Sequence, residues 1–213
     1  MNERGLRLRL VTAARRLSAL GMNQGKSGNL SSRLDEGFLV TPSGRDYESL
    51  KGDDIVYVDG DGAPHGRHAP SSEWRLHRDV YAAHPEAAAI VHTHSPYATT
   101  LSCLRRGIPP FHSEIAFAGG RDIRCGDYAT FGTQEISDRA LEALQGRRAC
   151  LLANHGVVAF GPSIDEAAML AEKVESLARL YWQALQVGEP VLLDDAEMDR
   201  VVEKFRNYGK SLT

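Results

Sequence analysis

The sequence predicts an α/β domain in which helices cover a sheet, and two kinds of segment support that prediction. Helical patterns, with apolar residues every three or four positions, occur near the N-terminus and over residues 164–185. Short apolar runs bounded by turn residues, such as residues 88–92, are typical of buried strands. The two kinds of segment are mixed without a regular βαβ rhythm, which favours a sheet covered by helices.

Local patterns place each element in the chain. The predicted order is a helix over residues 1–20, strands over 37–41 and 54–58, a helix over 71–84, a strand over 88–92, a helix over 133–145, strands over 149–153 and 157–160, and helices over 164–185 and 195–208. Turn residues such as Asp59 and Gly60 bound the strands, and Ser163 with Glu166 forms a capping box before the longest helix. Residues 25–32 are rich in glycine, serine and asparagine, and residues 95–97 are predicted to form a loop.

Length and composition fit one domain spanning residues 1–213. With 25 lysine and arginine residues against 28 aspartate and glutamate residues, the formal net charge is −3. This balance predicts no nucleic-acid partner and no attraction to anionic membranes. No apolar run approaches the roughly 20 residues needed to cross a bilayer. Three cysteines without CxxC spacing indicate a reducing compartment, so we expect a cytoplasmic protein.

Three of the eight histidines are candidates for binding a metal ion. His92 and His94 lie two residues apart at the end of a predicted strand, so both imidazoles can point to the same side. His155 lies between two predicted short strands, at a turn that presents its side chain to a cavity. Three neutral imidazoles with one open position are typical of a catalytic zinc site, although a His-x-His pair alone indicates little. Ordinary polar-loop or helix positions are predicted for His65, His68, His77 and His84.

Glu73 is predicted to lie in the first turn of the helix over residues 71–84, where the helix dipole favours a carboxylate. One interpretation is an ordinary helix-capping glutamate. The other is a base beside the metal that takes or returns a proton. The local pattern alone leaves both interpretations open.

Three segments carry small hydroxyls and exposed backbone N–H groups of the kind that hold a phosphate. Their residues are Gly28 and Asn29, Ser43 and Gly44, and Ser71 and Ser72. The Gly25-Lys26-Ser27 stretch is not a Walker A loop, because the first required glycine would fall at Leu20 and the segment follows a helix. Nucleoside triphosphate binding is therefore not predicted.

Together these segments resemble the class II aldolase/adducin family, and within it the fuculose-1-phosphate aldolase type. The resemblance is carried in chain order by Asn23-Gln24-Gly25, Gly28-Asn29-Leu30-Ser31, Thr41-Pro42-Ser43-Gly44, Ser71-Ser72-Glu73-Trp74-Arg75, His92-Thr93-His94, Ala118-Gly119-Gly120, Tyr128-Ala129-Thr130-Phe131-Gly132-Thr133, Asn154-His155-Gly156, and Lys204-Phe205 with Tyr208-Gly209. It covers nearly the whole chain. It implies a single three-layer α/β domain, with a central, mostly antiparallel sheet flanked by helices, and a homotetramer with active sites at the subunit interfaces.

The resemblance also implies roles for individual residues. Histidines matching His92, His94 and His155 bind one zinc ion in the family, and the glutamate matching Glu73 is the acid/base. Residues matching the six phosphate candidates hold the substrate phosphate. The implied reaction is reversible cleavage of a ketose 1-phosphate into dihydroxyacetone phosphate and an aldehyde, through an enediolate that zinc stabilises. Cobalt or manganese are alternatives to zinc at such a site.

One position departs from the fuculose-phosphate type. There, a tyrosine from the neighbouring subunit protonates the departing alkoxide, whereas this chain has Ser113, followed by Glu114. A methylthioribulose-1-phosphate dehydratase of the same family uses a glutamate in a similar arrangement, so Glu114 is a second candidate acid/base. Tyr128 and Tyr208 are further candidate proton donors.

Three enzymatic alternatives and one binding role stand beside the aldolase interpretation. A dehydratase, a decarboxylase or an epimerase would exploit the same metal-stabilised enolate, so the metal site does not separate them from an aldolase. An adducin-like binding module would keep the fold for protein contacts, but it would have no need for the three histidines and Glu73.

Overall fold

A computed structural model describes residues 2–206 of the chain and shows helices on both faces of one sheet. The helices are α1 (Glu3–Ala19), α2 (Trp74–Ala83), α3 (Pro96–Cys103), α4 (Gln134–Leu144), α5 (Ile164–Val187) and α6 (Asp195–Arg206), with short 3-10 helices at Gly52–Asp54 and Ser113–Ala118. The strands are β1 (Asn29–Leu34), β2 (Gly37–Val40), β3 (Val56–Val58), β4 (Pro64–His65), β5 (Ala89–Thr93), β6 (Cys125–Gly126), β7 (Ala149–Leu152) and β8 (Gly156–Gly161). The predicted site residue Tyr208 lies outside the described residues.

The eight strands form one open sheet in the order β4-β3-β2-β1-β5-β8-β7-β6. Every neighbouring pair is antiparallel except β6 and β7, which are parallel. The prediction of a mostly antiparallel sheet flanked by helices is therefore confirmed. Strand β5 lies in the middle, between β1 and β8. Its residue His92 therefore has a partner on each side, Asn29 on β1 and Val158 on β8.

Each face of the sheet is covered by its own apolar core, because successive side chains along a strand point to opposite faces. On β5, Ala89 and Val91 pack with α1, α3 and α5, whereas Ile90 packs with α2 and α4. His92 therefore continues the row that faces α2. None of the helices between residues 2 and 206 combines the length and apolar character that crossing a bilayer requires.

One strand was not predicted, and two local predictions were wrong. Part of the Gly/Ser/Asn-rich segment forms the central strand β1, where Ser31 is fully buried with its hydroxyl hydrogen-bonded. The loop predicted at residues 95–97 begins helix α3 instead, with Pro96 at its first position, where the missing N–H costs nothing. Helix α2 begins at Trp74, so Glu73 precedes the first turn. The other predicted ends lie within about two residues of the observed ones, which is the usual scatter.

Candidate metal centre and active site

Strand β5 places His92 and His94 on the same side of the sheet, as their spacing predicts. His92 is completely buried, and its Nδ1 donates to the backbone carbonyl of Val157 on β8 at 2.9 Å. This bond fixes the tautomer, because a carbonyl oxygen only accepts, and it leaves the Nε2 lone pair free. The backbone N–H of His94 donates to Oδ1 of Asn23 at 3.1 Å, which holds the chain in place just past the strand.

His155 comes from the tight turn between β7 and β8. Asn154, directly before it, has a left-handed backbone with φ of 55°, a conformation that asparagine tolerates better than most residues. Gly156, directly after it, begins β8 so close to β5 that a Cβ would lie 2.2 Å from the carbonyl oxygen of Thr93. The turn therefore requires glycine after the histidine, and it directs the imidazole towards the other two.

The three imidazoles form a compact cluster whose ring centroids lie 4.8–4.9 Å apart. Nε2 of His92 and Nε2 of His94 are separated by 3.0 Å, close to the roughly 3.3 Å expected between two nitrogens on a tetrahedral zinc ion. Burial lowers the pKa of all three imidazoles, that of His155 to about 4. Neutral imidazoles are the form that binds metal, so this donor set fits a divalent cation.

Glu73 completes the cluster from the opposite side. Its Oε2 lies 3.3 Å from Nε2 of His92 and accepts from the side-chain amide of Asn29 at 2.9 Å, and its Oε1 lies 3.4 Å from Nε2 of His155. Burial opposes ionisation, but the facing imidazoles and the Asn29 amide hold the pKa of Glu73 below its usual value. Because this carboxylate caps no helix N–H group, the capping interpretation is wrong.

All six residues predicted to hold phosphate line one cavity of about 350 Å³, together with Glu73, His94 and His155. The three segments meet there because β1 pairs with β2, and Ser71 N–H bonds to the carbonyl of Thr41. Gly28 is required at the first segment, since a Cβ at its φ of 76° would lie 2.3 Å from Oδ1 of Asn23. The hydroxyl of Tyr47 donates to the Gly28 carbonyl at 2.6 Å and holds this loop against the sheet.

The candidate proton donors are scattered. Tyr128 lines the cavity and is half exposed. Ser113 and Glu114 lie on a 3-10 helix that does not line it, and Glu114 forms a 2.9 Å ion pair with Lys173 of α5. Within the chain, therefore, the structure does not bring Ser113 or Glu114 to the histidine cluster.

Several residues at this site escaped the sequence analysis. Lys26 and Phe131 line the cavity, and the side chain of Asn23 lies against Gly28 and accepts the backbone N–H of His94. Asn23 and Phe131 lie inside the quoted motifs, so their motif membership was an available indication. His77, predicted to be an ordinary helix residue, is fully buried and hydrogen-bonded to Asn29. No local pattern distinguishes it from other helical histidines, because its partners come from a distant strand.

Comparison with known proteins agrees with this geometry. Residues 8–182 match the family model for the class II aldolase and adducin N-terminal domain. A 5-methylthioribulose-1-phosphate/5-deoxyribulose-1-phosphate aldolase of Rhodospirillum rubrum is 52% identical over 96% of this chain and 92% of its own length. An L-fuculose phosphate aldolase of Escherichia coli is 43% identical, with 98% of each chain covered.

Similarity of structure points the same way. A solved L-fuculose 1-phosphate aldolase superposes with a TM-score of 0.92 at 40% identity, covering 95% of this chain and 96% of that one. Because the matches cover 95% or more of this chain, the similarity extends well beyond the site motifs. The chain is thus a member of the class II aldolase and adducin N-terminal domain family.

Proposed function

We propose that this protein is a metal-dependent aldolase that reversibly cleaves a ketose 1-phosphate into dihydroxyacetone phosphate and an aldehyde. The observation that carries the proposal is the convergence on one cavity of the histidine cluster, the Glu73 carboxylate and three loops rich in N–H and hydroxyl groups. Those parts match the three needs of the reaction: a cation for the enediolate, a base for the proton and a cradle for the phosphate.

His92, His94 and His155 would hold the cation, and zinc is the first choice for three neutral imidazoles, with cobalt or manganese as alternatives. A bound divalent cation would supply the positive charge that stabilises an enediolate. The protein's own contribution is to keep the imidazoles neutral through burial and to fix the His92 tautomer through Val157.

Gly28, Asn29, Ser43, Gly44, Ser71 and Ser72 would bind the phosphate through backbone N–H groups and hydroxyls. Lys26 adds a positive charge to the same wall. Among the described residues that line this cavity, no other residue is a lysine or an arginine. A largely neutral cradle with one flexible cation agrees with a chain whose net charge is slightly negative.

Glu73 would move the proton at carbon. In the cleavage direction, the C4 hydroxyl loses its proton as the C3–C4 bond breaks, and C3 of the new dihydroxyacetone phosphate gains one. The buried Oε1 of Glu73 has no hydrogen-bond partner among the described residues, so it is available to take up the proton that the C4 hydroxyl gives to its first acceptor and to pass that proton to C3. Oε2 stays bound to Asn29.

A small apolar aldehyde fits the remaining wall best. The exposed rings of Tyr128 and Phe131 line the cavity beside Ala129, and such a surface suits a methyl or methylthio group better than a polyol. The Rhodospirillum rubrum relative is an aldolase for 5-methylthioribulose and 5-deoxyribulose 1-phosphates. We therefore propose that 5-deoxy-type pentulose 1-phosphates are the preferred substrates.

The proton of the C4 hydroxyl needs an acceptor, and two groups of candidates remain. Tyr128 lies at the cavity of its own subunit. Ser113, Glu114 and Tyr208 could act from a neighbouring subunit in a homotetramer with sites at the interfaces.

The three free cysteines suit the reducing cytoplasm, where we propose that the enzyme works.

A panel of ketose 1-phosphates tests the proposal. Zinc-loaded protein is incubated with 5-deoxyribulose 1-phosphate, fuculose 1-phosphate and the unphosphorylated 5-deoxyribulose, and dihydroxyacetone phosphate is measured enzymatically. We expect the highest kcat/KM for the 5-deoxy compound and almost no turnover without phosphate. Loss of water, carbon dioxide or configuration instead of cleavage would assign a dehydratase, decarboxylase or epimerase. No conversion of any sugar phosphate would favour an adducin-like binding module.

A further inference from the structure

A line of buried hydrogen bonds leads away from Glu73 into the sheet. Nδ2 of Asn29 lies 2.9 Å from Oε2 of Glu73, and Oδ1 of Asn29 lies 2.5 Å from Nε2 of His77. Nδ1 of His77 lies 2.6 Å from the hydroxyl of Ser31, which lies 2.8 Å from the hydroxyl of Tyr81. The line joins two residues of β1 to two of α2 and ends on the carboxylate of the candidate active site.

Donor and acceptor chemistry gives this line one direction. An ionised carboxylate only accepts, so Asn29 must turn its N–H group towards Glu73 and its oxygen towards His77. That oxygen also only accepts, so His77 must carry its proton on Nε2. Its Nδ1 then accepts from Ser31, whose oxygen accepts from Tyr81. Every donor in the line points towards Glu73.

Burial keeps the line free of competing partners. His77 and Ser31 have no exposed surface, and Tyr81 is 5% exposed. The pKa of His77 is lowered by burial to about 3, so the ring is neutral at ordinary pH and has one N–H to place. Phe38 stacks on His77 and also packs against Tyr81, which leaves the two rings little freedom to turn.

We propose that His77 is a positioning residue, which holds the Asn29 amide in the orientation that binds one oxygen of Glu73 and leaves the other free for the substrate. This inference rests on the proposed function for its catalytic consequence, but the orientation itself is a property of the protein alone. Without the Nε2 donor, the Asn29 amide would be free to rotate, and its oxygen would then face the carboxylate with unfavourable charge. A mobile or displaced carboxylate would transfer its proton less efficiently, because alignment is a large part of such catalysis.

The tautomer of His77 tests the orientation directly. Nitrogen and carbon NMR of protein labelled on histidine, with and without zinc, distinguishes Nε2–H from Nδ1–H in a neutral imidazole. We expect the Nε2–H tautomer for His77 in both samples. The Nδ1–H tautomer, or a charged ring at pH 7, would overturn the inference, and this measurement requires no variant.

Two replacements of His77 test its effect on catalysis. His77→Gln keeps an N–H donor near the position of Nε2, whereas His77→Leu has a similar volume and no donor. We expect His77→Leu to lower kcat about tenfold or more with little change in KM and zinc content, and His77→Gln to recover much of that loss. A purely structural role would not separate the two variants in kcat alone.

Ser32→Ala is the matched control for the strand. Ser32 is the next residue of β1, on its opposite face, and its hydroxyl contacts the carbonyl of Ala88. It should leave kcat unchanged, whereas Ser31→Ala, which removes the donor to His77, should lower kcat and mix the His77 tautomers. Equal kcat in Ser31→Ala, His77→Leu and wild type would refute the inference. If wild type cleaves no ketose phosphate, the proposed function fails, and the tautomer measurement still decides the orientation.

Discussion

Nε2 of His92 and Nε2 of His94 lie 3.0 Å apart. The approach follows from two features of the protein: the spacing of two positions between His92 on β5 and His94 just past its end, and the bond from His92 to Val157 that turns its Nε2 outwards. These two features of the chain hold the two donor nitrogens close to ligand geometry. Such preorganisation reduces the ordering that binding must otherwise supply.

Replacement of His94 by alanine should release the metal. Two imidazoles bind zinc far more weakly than three, so we expect His94→Ala to lose stoichiometric zinc and its turnover. His65→Ala is the control, because His65 lies on the exposed strand β4 and pairs with Asp59. Metal content after dialysis, measured by atomic emission, decides the matter. A full zinc complement in His94→Ala would remove this residue from the ligand set.

The glutamine variant of Glu73 should separate binding from proton transfer. Glu73→Gln keeps the size of the side chain and an oxygen for Asn29, but it has no basic oxygen. We expect proton exchange at C3 of dihydroxyacetone phosphate to fall by a factor of about 10² to 10⁴, while binding of the phosphate stays nearly unchanged. Exchange followed by NMR in deuterium oxide measures this. An unchanged exchange rate would exclude Glu73 as the acid/base.

A pair of glycines in one loop tests the support of the site. Gly28 and Gly25 both have positive φ, 76° and 62°, but only at Gly28 would a Cβ collide with Asn23; at Gly25 it meets open space. Gly25→Ala should cost only the conformational strain of about 1–2 kcal/mol. Gly28→Ala should cost that and also displace Asn23, whose Oδ1 accepts the N–H of His94.

Thermal unfolding and zinc titration compare the two variants. We expect zinc affinity to fall in Gly28→Ala and to stay at the wild-type value in Gly25→Ala. Equal affinities would show that Asn23 does not support the histidine cluster.

The metal-free protein should lose stability as the pH falls. Burial lowers the pKa of His77 to about 3 and that of His155 to about 4, against an ordinary value of 6.5. Below pH 6.5 the unfolded chain therefore binds more protons than the folded one. The free energy of unfolding should fall by up to about 1.4 kcal/mol per pH unit for each histidine between pH 6.5 and 4.

Urea unfolding of the metal-free protein across that range measures the slope. His77→Gln removes one titrating group, so its slope should be shallower than that of wild type. A free energy of unfolding that does not change between pH 6.5 and 4 would contradict the buried neutral state of both imidazoles.

Local sequence patterns predicted the parts of this molecule that depend on neighbours in the chain. The period of the strand put His92 and His94 on one side, and Gly156 marked the turn that carries His155. Glu73 was predicted as a site residue, but the reason given, its place in the first turn of a helix, was wrong. Its carboxylate is set by Asn29, 44 residues away, and by two histidines, and not by the end of α2.

The rest depended on contacts between distant segments. Ser31 looks like a loop residue in the sequence, but it lies in a central strand because His77 and Tyr81, 46 and 50 residues away, satisfy its hydroxyl. Glu114 is likewise beside Lys173, 59 residues on, and does not line the cavity. Neither arrangement follows from composition or periodicity.

The central claim is that this site breaks a bond between two carbon atoms of a phosphorylated ketose. The most direct measurement is carbon NMR of 5-deoxyribulose 1-phosphate incubated with zinc-loaded wild-type protein, with His94→Ala as the parallel sample. Cleavage between C3 and C4 predicts dihydroxyacetone phosphate and acetaldehyde in equal amounts from wild type, and neither from the variant. A product that keeps all five carbons in one chain would contradict the account.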